Sequence, residues 1–134
     1  MQDRPTVDEL LEAVAGFLTA DVMPNTSGRV NFHARVASNV LQMLRRELQH
    51  EEGHLEAEWR GLDAVLGEAR RPDTLAETRT ALDTRNRDLA ARIRAGDADS
   101  GPFHDALLAH LRRATYDKLV VSNPALAEEG GQPA

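Results

Sequence analysis

Residues 29–48 constrain the fold more than any other part of the chain, and they read RVNFHARVASNVLQMLRREL. At about 3.6 residues per turn, the aliphatic side chains of this segment fall on one stripe: Val30, Val36, Ala37, Val40, Leu41, Leu44 and Leu48. Four polar residues point away from the stripe: Arg35, Ser38, Arg45 and Arg46. An apolar stripe of this width is typical of a helix that faces a core. We therefore predict that this segment is the central helix of a small helical bundle.

Helix-start and helix-stop signals divide the rest of the chain into further helices. Thr6 and Thr74 each precede a glutamate by three residues, which is the spacing of a capping box. Pro102 suits the first turn of a helix, and Gly53 suits a helix end. No segment shows the apolar alternation of a strand. We predict an all-α fold, an up-down bundle of four to five helices over about 7–21, 29–50, 55–66, 74–95 and 102–122.

The length of 134 residues predicts a single helical domain over residues 1–124. Residues 125–134 lack apolar spacing, and we expect them to form a disordered tail. Cysteine is absent, which excludes disulfides, thiolate catalysis and cysteine-based zinc sites. The acidic N-terminal stretch lacks the features of a signal peptide, and no apolar run is long enough to cross a bilayer. We expect a cytoplasmic protein.

The formal net charge is -6, which argues against nucleic acid or an anionic membrane as a partner. The basic residues occur as scattered pairs with acidic residues nearby, a pattern typical of solvated helix faces. We therefore predict neither a nucleic-acid partner nor a membrane partner.

Residues 50–54, HEEGH, match the H-E-x-x-H motif of zinc proteases. In that motif the two histidines, here His50 and His54, bind zinc from one helix, and the glutamate polarises water. The motif needs a continuous helix, and Gly53 lies where we predict a helix end. The Glu-x-x-His spacing of di-iron bundles also occurs here, but no second helix carries a copy. A metal site through His50 and His54, with a further histidine from another helix end, is the least favoured interpretation.

Two polar residues lie on predicted apolar stripes. His33 could act as a general base or contact a ligand, or it could be a buried neutral histidine whose nitrogens are bonded internally. Asn86 lies on the seam of the 74–95 helix, where one polar residue often fixes the packing register. We predict that both side chains are largely buried, and an exposed one would mean that the predicted helical phase is wrong. We assign no catalytic residue, because no nucleophile elbow or phosphate-binding glycine loop occurs.

The stretch RVNFHARVASNVL, residues 29–41, resembles the signature of an uncharacterised family of small bacterial all-helical proteins, a domain of unknown function. The opening DRPTVDELLEAV and the closing KLVVSNP resemble the two ends of the same family. Members are found near aminoglycoside-phosphotransferase-like kinases and acyl-CoA dehydrogenases, so the resemblance implies an accessory role beside such an enzyme. It offers His33, Arg35 and Asn39 as motif positions and implies no catalytic residues.

Three hypotheses follow, and we favour the first. The chain is a non-catalytic accessory or interaction module without a cofactor, whose partner is a phosphotransferase-like enzyme, an acyl-CoA-metabolising enzyme or a second copy. This hypothesis predicts an exposed apolar patch of several hundred Å² or an extensive dimer interface. The alternative is a bundle that binds a small acyl or acyl-CoA-like ligand through His33, Arg35, Asn39 and Asn86. The third is a metal-dependent enzyme that uses His50 and His54.

Overall fold

The computed structural model describes residues 3–133, and helices account for most of them. The five α-helices are α1 (Val7–Phe17), α2 (Gly28–Leu66), α3 (Leu75–Arg94), α4 (Pro102–Ser122) and α5 (Pro124–Gly130). A π-helical turn, Leu18–Val22, directly follows α1. No strand occurs between residues 3 and 133, so the predicted all-α bundle class is confirmed.

The chain packs as two compact units. The first unit ends at His50 and the second begins at Glu51, so α2 contributes to both. None of the described helices is both long enough and apolar enough to cross a bilayer.

The first unit is an antiparallel hairpin of α1 and the N-terminal part of α2. Its start follows the predicted capping box, because the Thr6 hydroxyl accepts the Glu9 amide and the Thr6 amide donates to the Glu9 carboxylate. At the turn, the Asn31 side chain donates to the Met23 carbonyl at 2.6 Å and to the Thr26 carbonyl. At the open end, Arg45 binds the Asp8 carboxylate through two hydrogen bonds.

Small residues form the seam of this hairpin. Ala15, Ala34 and Ser38 are 1%, 6% and 5% exposed, respectively. Small side chains let the two backbones approach closely, and the ion pair draws Arg45 toward α1. Both effects turn α2 so that its large aliphatic side chains leave the seam. The predicted phase of α2 is therefore wrong: Ser38 and Arg45, expected to point away from the packed side, lie on it.

Helix α2 also runs unbroken through Gly53, so the predicted division into helices 29–50 and 55–66 is wrong. One interior glycine costs about 1 kcal/mol relative to alanine, which contacts on either side can offset. The Glu51 carboxylate, for example, pairs with Arg79 of α3. A single glycine without a following proline therefore does not end this helix.

The second unit has a core of six buried residues from α2, α3 and α4: Trp59, Leu62, Val65, Leu82, Leu89 and Leu107. The Trp59 indole donates to the Ala69 carbonyl at 3.2 Å, and the Arg85 guanidinium lies 4.5 Å from the centre of its ring. Helix α3 begins after Thr74, whose hydroxyl accepts the Glu77 amide, and α4 begins at Pro102. Both starts agree with the sequence prediction.

Helix α5 occupies part of the segment 125–134 that the sequence predicted to be a disordered tail. Pro124 opens it, the Asn123 side chain accepts the Leu126 amide, and Ala127 is buried. A proline start and a capping asparagine are sufficient to begin a short helix, and one apolar contact anchors it. The last residue of that segment, Ala134, lies outside the described residues, as do Met1 and Gln2.

Candidate functional site

The three motif positions on α2 do not converge on one site. His33 is exposed, contrary to the prediction of burial, and its Nε2 accepts a hydrogen bond from Arg29 Nε at 3.3 Å. Arg35 and Asn39 are also exposed. Positions 33 and 35 are about 200° apart around a helix, so His33 and Arg35 point to different sides of α2. The error in the burial of His33 has the same cause as the error in helical phase.

Asn86 is half-buried in the second unit, on the packed side of α3. Its Nδ2 donates to Glu58 Oε1 of α2 at 2.7 Å. This hydrogen bond satisfies the amide inside the protein and fixes α3 against α2. Asn86 thus has a structural partner, while His33 belongs to the surface of the first unit.

The HEEGH motif lies on a continuous helix, so the predicted helix break is no argument against a metal site there. His50 is exposed, and His54 Nε2 lies 3.9 Å from Asp117 Oδ1. Asp117 is itself bound by Arg113 at 3.0 Å. Within residues 3–133, no group of three or more histidine or carboxylate side chains is placed to hold a metal ion. The described contacts tie His54 to an ion pair on α4.

The most prominent surface feature is an apolar face on the hairpin. Each of its nine members exposes between 43% and 62% of its surface. We call this set the apolar face: Val7, Leu10, Val14, Phe17, Val30, Val36, Val40, Leu44 and Leu48. The α2 members are the stripe that the sequence assigned to the core, joined by the stripe of α1.

Helical geometry places both stripes on the same side of the hairpin. At about 100° per residue, the exposed stripe of α1 is rotated roughly 100° from its buried side at Ala15. The exposed stripe of α2 is rotated by a similar angle, in the same sense, from its buried side at Ala34 and Ser38. Because the two helices are antiparallel, equal rotations in the same sense turn both stripes toward one side. The nine side chains therefore form one continuous surface.

The area of the apolar face is large for a surface in contact with water. Nine large side chains with about half of their surface exposed present roughly 800 Å², whereas the largest apolar patch of a typical monomer is about 300–600 Å². The predicted patch of several hundred Å² is therefore present. It lies on the hairpin's own helices and needs no rearrangement to become accessible.

The second unit carries an apolar groove between α4 and α5. Its volume is about 500 Å³. Tyr116 and Arg112 add polar groups to its wall, and four leucines form much of the rest: Leu108, Leu111, Leu119 and Leu126. The groove is far larger than one side chain and is open to solvent.

A smaller cavity of about 230 Å³ lies between α2 and α4, beside His110. His110 is only 6% exposed, and its ring packs so closely on Gly61 that a Cβ there would overlap it. Burial lowers the pKa of His110, although the nearby Glu58 carboxylate opposes this shift. Most of the wall consists of alanines: Ala57, Ala64, Ala106, Ala109 and Ala114.

Sequence reasoning did not single out His110, and a signal for it exists. Ala57, Gly61 and Ala64 recur at spacings of four and three on α2, and Ala106 and Ala114 flank His110 on α4. Small residues at this spacing indicate a close helix crossing. The one larger residue between the alanines of α4 then has to lie against the glycine of α2.

Comparison with known proteins identifies one family. The family model described as Domain of unknown function (DUF6285) matches residues 24–126, which is more than half of the chain. No curated protein and no solved structure shows a significant match to the chain. The match begins at the turn between α1 and α2 and includes nearly all of the second unit.

Proposed function

The chain belongs to the DUF6285 family, and we propose that it is a non-catalytic interaction module that binds a protein partner through the apolar face. The match confirms the predicted resemblance to a family of unknown function. The observation that carries the proposal is the exposure of nine large apolar side chains on one side of a two-helix hairpin.

The physical argument is that two helices make only one layer of a structure. Domains are stable when two layers bury apolar surface between them, and the hairpin's seam buries mainly Ala15, Ala34 and Ser38. Removing apolar surface from water gains about 25 cal/mol per Å² before the costs of association. A partner that covers the apolar face would supply the missing layer.

The chemistry of the surface favours a protein partner. The middle of the apolar face is aliphatic, with Val14, Val40 and Leu44 there, and its exposed polar side chains, such as Arg29 and Glu47, lie toward its two ends. The resemblance described above implies a phosphotransferase-like or acyl-CoA-metabolising enzyme as that partner, or a second copy of the chain. We propose this class of partner on the strength of the resemblance and the apolar surface together.

Co-expression tests the proposal. The chain is produced together with a phosphotransferase-like kinase or an acyl-CoA dehydrogenase from the same genome, and complexes are measured by size-exclusion chromatography with light scattering. Val14→Glu and Val40→Glu should abolish every stable association of the chain. Arg35→Glu is the control, because Arg35 is exposed, lies roughly 140° around α2 from Val40 and should leave association unchanged. A wild-type monomer that binds neither enzyme would overturn the proposal.

A second candidate function is the binding of an acyl or acyl-CoA-like ligand, and the groove between α4 and α5 supports it. Its volume of about 500 Å³ is within the range of roughly 300–1,000 Å³ found for ligand pockets. Isothermal titration calorimetry with an acyl-CoA and with CoA alone tests whether binding requires the acyl chain. Binding of the acyl-CoA that Leu111→Glu abolishes would support this function, and equal binding of both compounds would exclude it.

A further inference from the structure

We infer that the occupant of the apolar face is a second copy of the chain, and that two hairpins pair in an antiparallel fashion to form a four-helix bundle. The inference rests on the proposed function, since it takes the apolar face to be a docking surface. It adds the identity of the partner and the geometry of the pairing.

The area and shape of the apolar face suit self-pairing. Each copy would contribute roughly 800 Å², which is about the share of one partner in a standard-size interface. Two antiparallel hairpins that stack face to face make a four-helix bundle, in which each layer covers the other. Because the same surface meets itself, the pairing is symmetric about a two-fold axis and closes as a dimer.

The charges at the two ends of the α2 stripe set the direction of pairing. Arg29, with its neighbour His33, lies at the turn end, and Glu47 lies at the open end. Positions 29 and 47 are separated by about five helical turns, so both point to the same side of α2, roughly 27 Å apart. Antiparallel stacking of α2 on its copy brings Arg29 of each copy opposite Glu47 of the other.

The opposite arrangement, with both turns at one end of the bundle, lacks this complementarity. Helix α2 would then lie over α1 of the other copy, so Arg29 and Glu47 would not meet across the interface. Like charges across an interface disfavour a pairing, and opposite charges select it. The charge pattern therefore favours the antiparallel arrangement.

The same register places apolar residues at the centre. The midpoint between positions 29 and 47 is position 38, so Val36 of one copy lies opposite Val40 of the other. Ala37 is exposed on the side of the apolar face and lies nearest the two-fold axis. A small residue at this crossing lets the two α2 helices approach closely.

Charge reversal tests the pairing by sedimentation equilibrium of the full chain. Arg29→Glu and Glu47→Arg should each raise the dimer dissociation constant by about tenfold or more, because each creates like-charge contacts. The double variant should return it to within a few-fold of the wild-type value. Arg35→Glu, on another exposed side of α2, is the matched control and should change the constant little. Additive losses in the double variant would overturn the register.

Disulfide formation gives a second and independent measurement, since the chain has no cysteine of its own. Ala37→Cys should form a cross-linked dimer under mild oxidation. Leu48→Cys should not, because the two copies of position 48 would lie about 30 Å apart. Cross-linking of Leu48→Cys without cross-linking of Ala37→Cys would overturn the antiparallel geometry.

The failure of this inference is distinguishable from the failure of the proposed function. If the chain is monomeric at high concentration but binds an enzyme, and Val14→Glu abolishes that binding, then the inferred dimer is wrong and the proposed interaction module is supported. If the chain is monomeric and binds no enzyme, both are wrong.

Discussion

Arg45 and Asp8, 37 residues apart in the sequence, are joined by hydrogen bonds of 2.7 and 3.0 Å between one guanidinium and one carboxylate. The Gln49 amide donates to the same carboxylate at 3.3 Å. The Arg45 side chain is 16% exposed, although its place in the sequence pattern predicted a solvated residue. This contact fixes the register of α1 on α2 and with it the direction in which the apolar face points.

Asp8→Asn should loosen the hairpin at neutral pH, because it removes the charge that holds Arg45. Hydrogen bonding to Arg45 lowers the pKa of Asp8 from its ordinary value of 3.8. The ionised carboxylate therefore stabilises the folded state above pH 3.8, and this contribution is lost as the pH falls through the lower folded-state pKa. Hydrogen exchange of the α1 amides from pH 7 to pH 3 measures the effect. Glu12→Gln, at a more exposed contact with Arg45, should have the smaller effect.

Gly61→Ala should destabilise the second unit by about 1–3 kcal/mol, since a methyl group there overlaps the His110 ring. Gly53→Ala on the same helix is the matched control. No atom lies within 4 Å of a Cβ at Gly53, so alanine should stabilise α2 by about 0.5–1 kcal/mol. Urea unfolding gives both values. Equal effects of the two substitutions would contradict the close packing of His110.

Acid should destabilise the second unit through His110. Burial lowers the pKa of this histidine from its ordinary value of 6.5, so the folded state favours the neutral ring. Its contribution to stability is complete above pH 6.5 and declines as the pH falls toward the lower folded-state pKa. The unfolding midpoint should therefore fall over this range, and His110→Leu should remove that part of the decline. An unchanged pH profile in the variant would exclude His110 as its source.

Leu62→Ala should cost about 2–5 kcal/mol, because Leu62 is fully buried in the core of the second unit. Leu44→Ala is the same substitution at a side chain that is 47% exposed. It should leave the unfolding of the monomer nearly unchanged and weaken association instead. Thermal unfolding at low and high protein concentration separates the two effects. A large loss for Leu44→Ala at low concentration would mean that the apolar face is already covered within one chain.

Local signals in the sequence predicted the helix starts well. The Thr6 and Glu9 pair forms the predicted capping box, and Thr74 and Pro102 open the next helices as expected. These signals depend on hydrogen bonds between residues three positions apart. No distant part of the chain is needed to decide them.

Long-range packing decided the features that the sequence did not predict. The stripe of α2 is apolar, and periodicity alone assigns such a stripe to a core within the same chain. The seam instead buries Ala15 and Ala34, and Arg45 lies on it because it pairs with Asp8 of α1. His33 was misplaced for the same reason. The burial of His110 was not predicted, because it depends on Gly61 of another helix.

Because the seam of the hairpin is narrow, the stability of the first unit should depend on how much partner is present relative to the chain. Alanine and serine at the seam gain little from burial, so a partner that covers the apolar face, as proposed above, would supply much of the stability of the hairpin. A cell that makes the chain in excess of its partners would expose an aliphatic surface to chaperones and proteases. Copies without a partner would then be degraded, so degradation would keep the amount of the chain matched to the amount of its partners.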